Sequence, residues 1–313
     1  MKTLLNLALL LSLGISFTKC DKVETPIPKP EVVIVPPVKD SVAFPIVDSS
    51  NINRTYKKTL VEEYTGHKCI TCPFNTQLLL DQQAQNKDRM IVVAVHAGGF
   101  AEVNEPDYPT DFNTEYGTSI FSHYGLGGHP IPSAIINRRK FPLFDNALIF
   151  NGATQFWDEP IDEENSNTET AFGLGLAVDY IDSLGLFYIQ ASIEAQTTIS
   201  SEHRLLLLCL EDSIVAEQLD GRVSTSEYPK KIVTDYVHRH VLRGKVTTGS
   251  SIFGDVIIKS GDGVQAGEWI DFQLNASIPN NVLDINKTSI VAAIINSETE
   301  EIVQSEEVHV HVK

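Results

Sequence analysis

The chain has 313 residues, more than one typical core holds, which points to two domains. Its composition, 42% hydrophobic and 21% charged, is that of a globular protein and excludes a fibre or a disordered chain. The formal charge is −17, and an acidic surface repels phosphate backbones and anionic headgroups, so nucleic acid is excluded as a partner.

The chain opens with Lys2, a mostly apolar run from Leu4 to Phe17, and then Thr18-Lys19-Cys20. An apolar stretch of about 14 residues behind a basic start is a signal peptide, here residues 1–19, and is too short for a spanning helix. Cys20 resembles the lipid-acceptor cysteine of bacterial lipoproteins, with one departure: Lys19 stands where a small residue is usual. The resemblance implies a cell-envelope, outer-membrane lipoprotein whose acylated Cys20 enters the lipid bilayer. Ordinary cleavage would leave Cys20 a plain thiol. Residues 20–54 carry Pro26, Pro28, Pro30, Pro36, Pro37 and Pro45, and prolines this dense favour extended geometry. Of these, residues 21–50 read as a semi-rigid tether with a reach of roughly 90 Å at about 3.1 Å per residue. Val32 to Val35 could form a short edge strand within it.

Thr59 to Thr65 reads as a strand and is followed by Gly66-His67-Lys68-Cys69-Ile70-Thr71-Cys72-Pro73. Phe74, Leu78 and Leu79 recur at helical spacing, so Cys72 falls in a first helical turn, where Pro73 is tolerated. Thiolates at a helix N-terminus are stabilised by the dipole and free amides. Cys69, ahead of the helix, is expected to be the more exposed sulfur and the nucleophile, with Cys72 resolving. Met90 to His96 supplies a buried strand and completes a βαβ unit. A zinc half-site is the competing reading of Cys69 and Cys72, with His67 as a third ligand. Zinc needs four ligands, and neither a second cysteine pair nor a ligand cluster stands nearby in sequence, so no metal and no cofactor is expected. Cys209, in the run Leu205 to Leu210, is expected to be a buried core thiol.

Ala97 to Gly117, rich in Gly, Pro and Asp, reads as an insertion beside the cysteines. Then Ile131-Pro132-Ser133 leads into the apolar strand Ala134 to Ile136. This resembles the cis-proline segment that thioredoxin-like proteins carry before their third core strand, packed against the C-x-x-C. Together the two signatures imply an α/β thioredoxin-like domain over residues 55–164, with Ile131 and Pro132 as a substrate-binding platform. Glu63 resembles the buried acid that thioredoxins keep beneath the second cysteine. Strand alternation puts Glu62 on the opposite face, and burial would raise the Glu63 pKa toward that of a general base. The other reading leaves both glutamates as solvated strand charges.

A closer resemblance runs through Leu60 to Pro73, Val95-His-Ala-Gly98 and Pro132 to Arg138. It is to the Omp28-related outer membrane lipoproteins of Bacteroidota. That family joins a thioredoxin-like domain to a C-terminal β domain behind a lipoprotein leader, and the resemblance implies the same arrangement over residues 55–313. It implies architecture more than activity.

Ala147 to Trp157 is expected to be the last helix of the first domain, and the acidic stretch Asp158 to Glu169 a bridge. Residues 165–313 then alternate as short strands: 172–180, 184–195, 204–211, 236–243, 269–277, 289–295 and 302–312. They predict an all-β antiparallel sandwich able to fold alone. His238 with His240, and His309 with His311, are i, i+2 pairs; each could grip a metal or simply line an exposed strand face.

Two functions follow. One is thiol–disulfide exchange with envelope or extracellular protein thiols and disulfides, using Cys69, Cys72 and Glu63 as catalytic residues. The other is a surface binding or adhesion lipoprotein in which the cysteine pair is a fixed disulfide. The first is favoured because Cys69 keeps both a resolving partner and the proline beside it.

Overall fold

The computed structural model describes residues 42–152 and 157–313. The expected signal peptide, Cys20 and the proline-rich stretch up to residue 41 lie outside the described residues. The first strands are β1 (Thr59–Thr65) and β2 (Met90–His96), buried at every position. They pair in parallel from Thr59 with Met90 to Thr65 with His96. Parallel neighbours need a crossover, and α1 (Cys72–Asn86) supplies it. Helix α2 (Glu115–His123) is capped by the Thr114 hydroxyl, which accepts from the Gly117 amide at 2.9 Å. β3 (Ser133–Ile136) runs antiparallel to β1, and β4 (Ile149–Asn151) pairs with β3.

Helix α3 (Asp158–Ser166) occupies the stretch expected to be an acidic bridge. Asp158 and Glu159 favour the positive end of its dipole, and Ile161 and Glu164 are buried one turn apart. The helix expected over Ala147 to Trp157 is not formed in its described part, where β4 stands. Three paired residues there complete the sheet edge instead.

The chain continues through β5 (Phe172–Ile181), β6 (Leu186–Ala195), β7 (His203–Glu211), β8 (Ile214–Leu219), β9 (Ile232–His238) and β10 (Val241–Lys245). Then come β11 (Asp255–Ile258), β12 (Trp269–Ser277), β13 (Thr288–Asn296), β14 (Ile302–His309) and β15 (His311–Val312). The strand expected over residues 236–243 is two strands, broken at His240, whose φ is +52°.

Three sheets result. The largest runs β14-β13-β7-β10-β2-β1-β3-β4, with β11 also on β7; the second is β12-β6-β5-β15; β8 and β9 form a hairpin. The molecule is therefore mostly β, with a mixed main sheet. β7 explains its own apolar run. Leu205, Leu207 and Cys209 face the second sheet, while Leu206, Leu208 and Leu210 join Leu60, Val93 and Val95 in a separate core. A strand buried on both faces needs no alternation.

The main sheet does not stop at the boundary expected at 164/165. β10 pairs in parallel with β2 at Val241 and Ala94, and residues Phe44–Lys313 form one compact unit. The end of the expected tether is also packed: Ile52 is buried and Asn53 bridges to Leu174 on β5.

Candidate functional site

β1 delivers the chain to Gly66, where a Cβ would lie 2.5 Å from the Phe100 carbonyl oxygen, so only glycine fits. The Lys68 amide then donates to that same carbonyl at 3.0 Å, which ties the cysteine loop to the 97–117 segment. Cys69 and Cys72 are joined in a disulfide, with Cα atoms 5.4 Å apart. Thr71 is the N-cap of α1 and Pro73 lies in its first turn. Cys69 Sγ lies 3.7 Å from the Ile131 carbonyl oxygen and 3.8 Å from Thr71 Oγ1. The Ile131–Pro132 bond is cis, Pro132 is buried and Ile131 half-buried.

The expectation that Cys69 would be the exposed sulfur is corrected. Cys69 is 2% exposed and Cys72 1%. Against the cysteine loop lies a segment from the other half of the chain, residues 218–222, which end β8 and run on past it. Gln218 Nε2 donates to the Cys69 carbonyl at 3.1 Å, and the amides of Leu219 and Gly221 donate to the His67 and Ile70 carbonyls.

On β1, Glu63 is 1% exposed, and no cation among the described residues pairs with it. Thr76 Oγ1 lies 2.8 Å from Glu63 Oε1 and 3.2 Å from the Cys72 carbonyl oxygen. Desolvation pushes the Glu63 carboxyl up to about 7, although the Thr76 hydroxyl favours the anion. Glu62 is buried on the other face and is held by Arg138 through Nε at 2.9 Å and Nη2 at 2.6 Å. Neither glutamate is a solvated strand charge. Cys209 is a buried free thiol, pushed up to about 12 by desolvation.

Three buried histidines flank the cysteine loop. His96 stacks on Phe112 with ring centres 4.6 Å apart, His238 approaches the same ring at 4.6 Å, and His67 lies 5.7 Å from it. His67 Nε2 reaches the Glu102 carbonyl and His238 Nε2 the Glu217 carbonyl. Desolvation lowers all three pKa values, that of His238 to about 4. His240 lies in the turn beyond β9, so it shares no strand face with His238. His309 and His311 belong to strands of different sheets. Among the described residues no group of three or more His, Cys, Asp or Glu is arranged to hold a metal ion.

Sequence reasoning missed Gln218, Gly221, Arg222 and the histidine cluster. The signal for the first was present: Ile214 to Leu219 ends in Asp220-Gly221, a strand closed by a turn pair.

A mixed-sheet β protein with a covered disulfide at the head of one helix is thus the class defined. The sequence profile of the family described as outer membrane protein Omp28 matches residues 119–313. The chain belongs to that family, and its place is the outer membrane. No curated protein matches it. Among solved structures, HBP35 of Porphyromonas gingivalis is similar, with a TM-score of 0.57 and 13% identity over 82% of this chain and 76% of that one. A protein of Agrobacterium tumefaciens has a TM-score of 0.46 and 13% identity over 82% and 96% of the two chains. A domain of the outer membrane lipoprotein Omp28 from Porphyromonas gingivalis has a TM-score of 0.28 and 14% identity over 46% and 91%.

Proposed function

We propose that the chain is an outer-membrane lipoprotein whose residues 55–164 are thioredoxin-like and whose Cys69–Cys72 disulfide exchanges with thiols of envelope or extracellular proteins. One observation carries this reading: the bonded pair opens α1, and the Thr76 hydroxyl of that helix reaches both the Cys72 carbonyl and Glu63, a buried carboxyl with no cation partner among the described residues. In the oxidised form a partner thiolate attacks Cys69 Sγ, the Cys69–Cys72 bond breaks, and Cys72 leaves with the electron pair and takes a proton, which Glu63 supplies. A second partner thiolate then attacks the partner's sulfur in the mixed disulfide. Cys69 is released as a thiolate and the partner leaves oxidised by two electrons. The reverse sequence reduces a partner disulfide. Ile131 and Pro132, beside Cys69, would seat the partner's chain.

Replacing Cys72 by Ser tests this in the full chain. Cys69 should then hold a partner in a stable mixed disulfide, and Cys69→Ser should hold none. Failure of both variants to form a covalent complex rejects exchange.

A second reading is favoured by the burial of both cysteines. A disulfide exposed by no more than 2% also suits a fixed cross-link in a surface binding or adhesion protein. The reduction potential separates the two readings.

The anchor is proposed on the leader pattern alone. Cys20 should carry lipid as the first residue of the mature chain, and mass spectrometry finding an unmodified Cys20 or another N-terminus would refute it.

A further inference from the structure

Loop 66–74 turns a row of main-chain carbonyls toward the end of β8 and the residues just after it. Leu219 donates its amide to the His67 carbonyl at 2.7 Å, and Gly221 donates to the Ile70 carbonyl at 2.9 Å. Amides two residues apart that point the same way are how an extended peptide adds to an edge. Side chains reinforce them. Gln218 Nε2 donates to the Cys69 carbonyl at 3.1 Å, and Arg222 Nη1 donates to the Pro73 carbonyl at 3.1 Å. Asp220 fixes Arg222 in turn, at 2.6 Å from its Nη2. A Cβ on Gly221 would meet the Ile70 carbonyl oxygen at 3.0 Å, so the residue opposite Ile70 must be small. Ile70 and Phe74 remain 44% and 52% exposed beside this seam.

We propose that the carbonyl edge of loop 66–74 is a docking site for an extended segment of a partner protein, and that residues 218–222 fill it as an internal stand-in until displaced. The partner's chemistry follows from what the stand-in provides. Like the stand-in, the partner offers free amides two residues apart and a small residue opposite Ile70; it adds apolar side chains for Ile70 and Phe74, which the stand-in leaves exposed. Where exchange occurs, the partner also brings a cysteine to Cys69, and only this last requirement rests on the exchange reading. While residues 218–222 are seated, neither sulfur is open to a thiol.

The test uses the full chain carrying Gln218→Ala and Arg222→Ala, which removes two of the four bonds. A water-soluble phosphine at neutral pH reads the rate at which the Cys69–Cys72 bond becomes accessible. The buried Cys209 thiol reports folding, because it stays unreactive only while the core is intact. The variant should be reduced about tenfold faster than wild type, as the loss of one or two side-chain hydrogen bonds implies. A synthetic peptide spanning residues 216–224 should slow it again by refilling the edge. If Cys209 becomes reactive in that variant, Gly221→Val is read in its place, since its added carbons push against Ile70 and Phe74 of the loop edge. Equal rates in wild type and the folded variant, or no slowing by the peptide, overturn the docking edge. Faster reduction with no mixed disulfide from Cys72→Ser keeps the edge and discards exchange. A mixed disulfide with equal reduction rates does the opposite.

Discussion

Glu62 and Glu63 are sequence neighbours on opposite faces of β1, and their chemistry diverges because only one of them meets a cation. Arg138 holds Glu62 bidentately, and both members of the pair are buried. Glu63 has the Thr76 hydroxyl and no counter-charge, and desolvation holds its carboxyl near 7. The consequence for stability has a definite sign. Between the ordinary glutamate value of 4.5 and about 7 the folded chain keeps a proton that the unfolded chain releases. Stability is therefore lost as pH rises through that window, by about 3 kcal/mol in all. Glu63→Gln should remove this loss. Urea unfolding should show the variant more stable than wild type at pH 8, with the difference vanishing near pH 4.5. A difference that does not change with pH would mean that Glu63 is not held protonated. The opposite facing of the two glutamates was legible in the sequence, since alternation in a strand dictates it. The Arg138 partner was not, because a single sequence carries no record of a contact across 76 residues.

At the scale of elements, the loop before α1 is held between two covers, the 97–117 segment and the β8–β9 hairpin, and the histidine cluster is the joint between them. His67 comes from the loop, His96 from the end of β2 and His238 from β9. All gather on Phe112. The nearest charges are Glu217, 3.9 Å from His67, with Asp111, Lys68 and Arg243 farther off. None offsets the desolvation, so the imidazoles stay neutral. Below the ordinary value of 6.5 the unfolded chain takes protons that the folded chain refuses. Stability is complete above about pH 6.5 and falls as pH drops toward about 4, where folded His238 at last protonates. His238→Phe should flatten this dependence. The stability of the variant relative to wild type should rise as pH falls from 7 to 5, measured by urea midpoints at each pH. A constant offset would show that His238 is not a proton-linked part of the joint.

The elements that sequence placed well are those with a clear period. β1, β2 and β12 have the expected ends; β2 is continuously apolar up to His96, and β12 alternates along its length. The hairpin was passed over although Ile214, Val215, Ala216 and Leu219 make β8 mostly apolar. The pairing partners of β8 and β9 are each other and the cysteine loop, which local pattern cannot show. The acidic stretch was read as a bridge for a similar reason. Its helix is held by contacts from afar, with Glu164 meeting Lys57 at 2.7 Å and Asn137 at 2.7 Å.

For the whole molecule, one main sheet joins what the sequence divides. β7 and β13 bury one face against the second sheet and the other against the core of β1 and β2, so cutting at 164/165 would bare a continuous apolar surface. The same continuity brings residues 218–222 onto the cysteine loop and makes the disulfide a site built by both halves. The cysteine pair, its proline and its buried acid were readable in the sequence; their cover depends on tertiary topology. The measurement that tests the account most directly is the reduction potential of Cys69–Cys72 in the intact chain, equilibrated with glutathione buffers and read by thiol trapping. An exchanging pair predicts a potential between about −120 and −270 mV, the span of dithiol oxidoreductases. A potential below about −300 mV, where structural disulfides of secreted proteins lie, would contradict exchange and leave the pair a fixed cross-link.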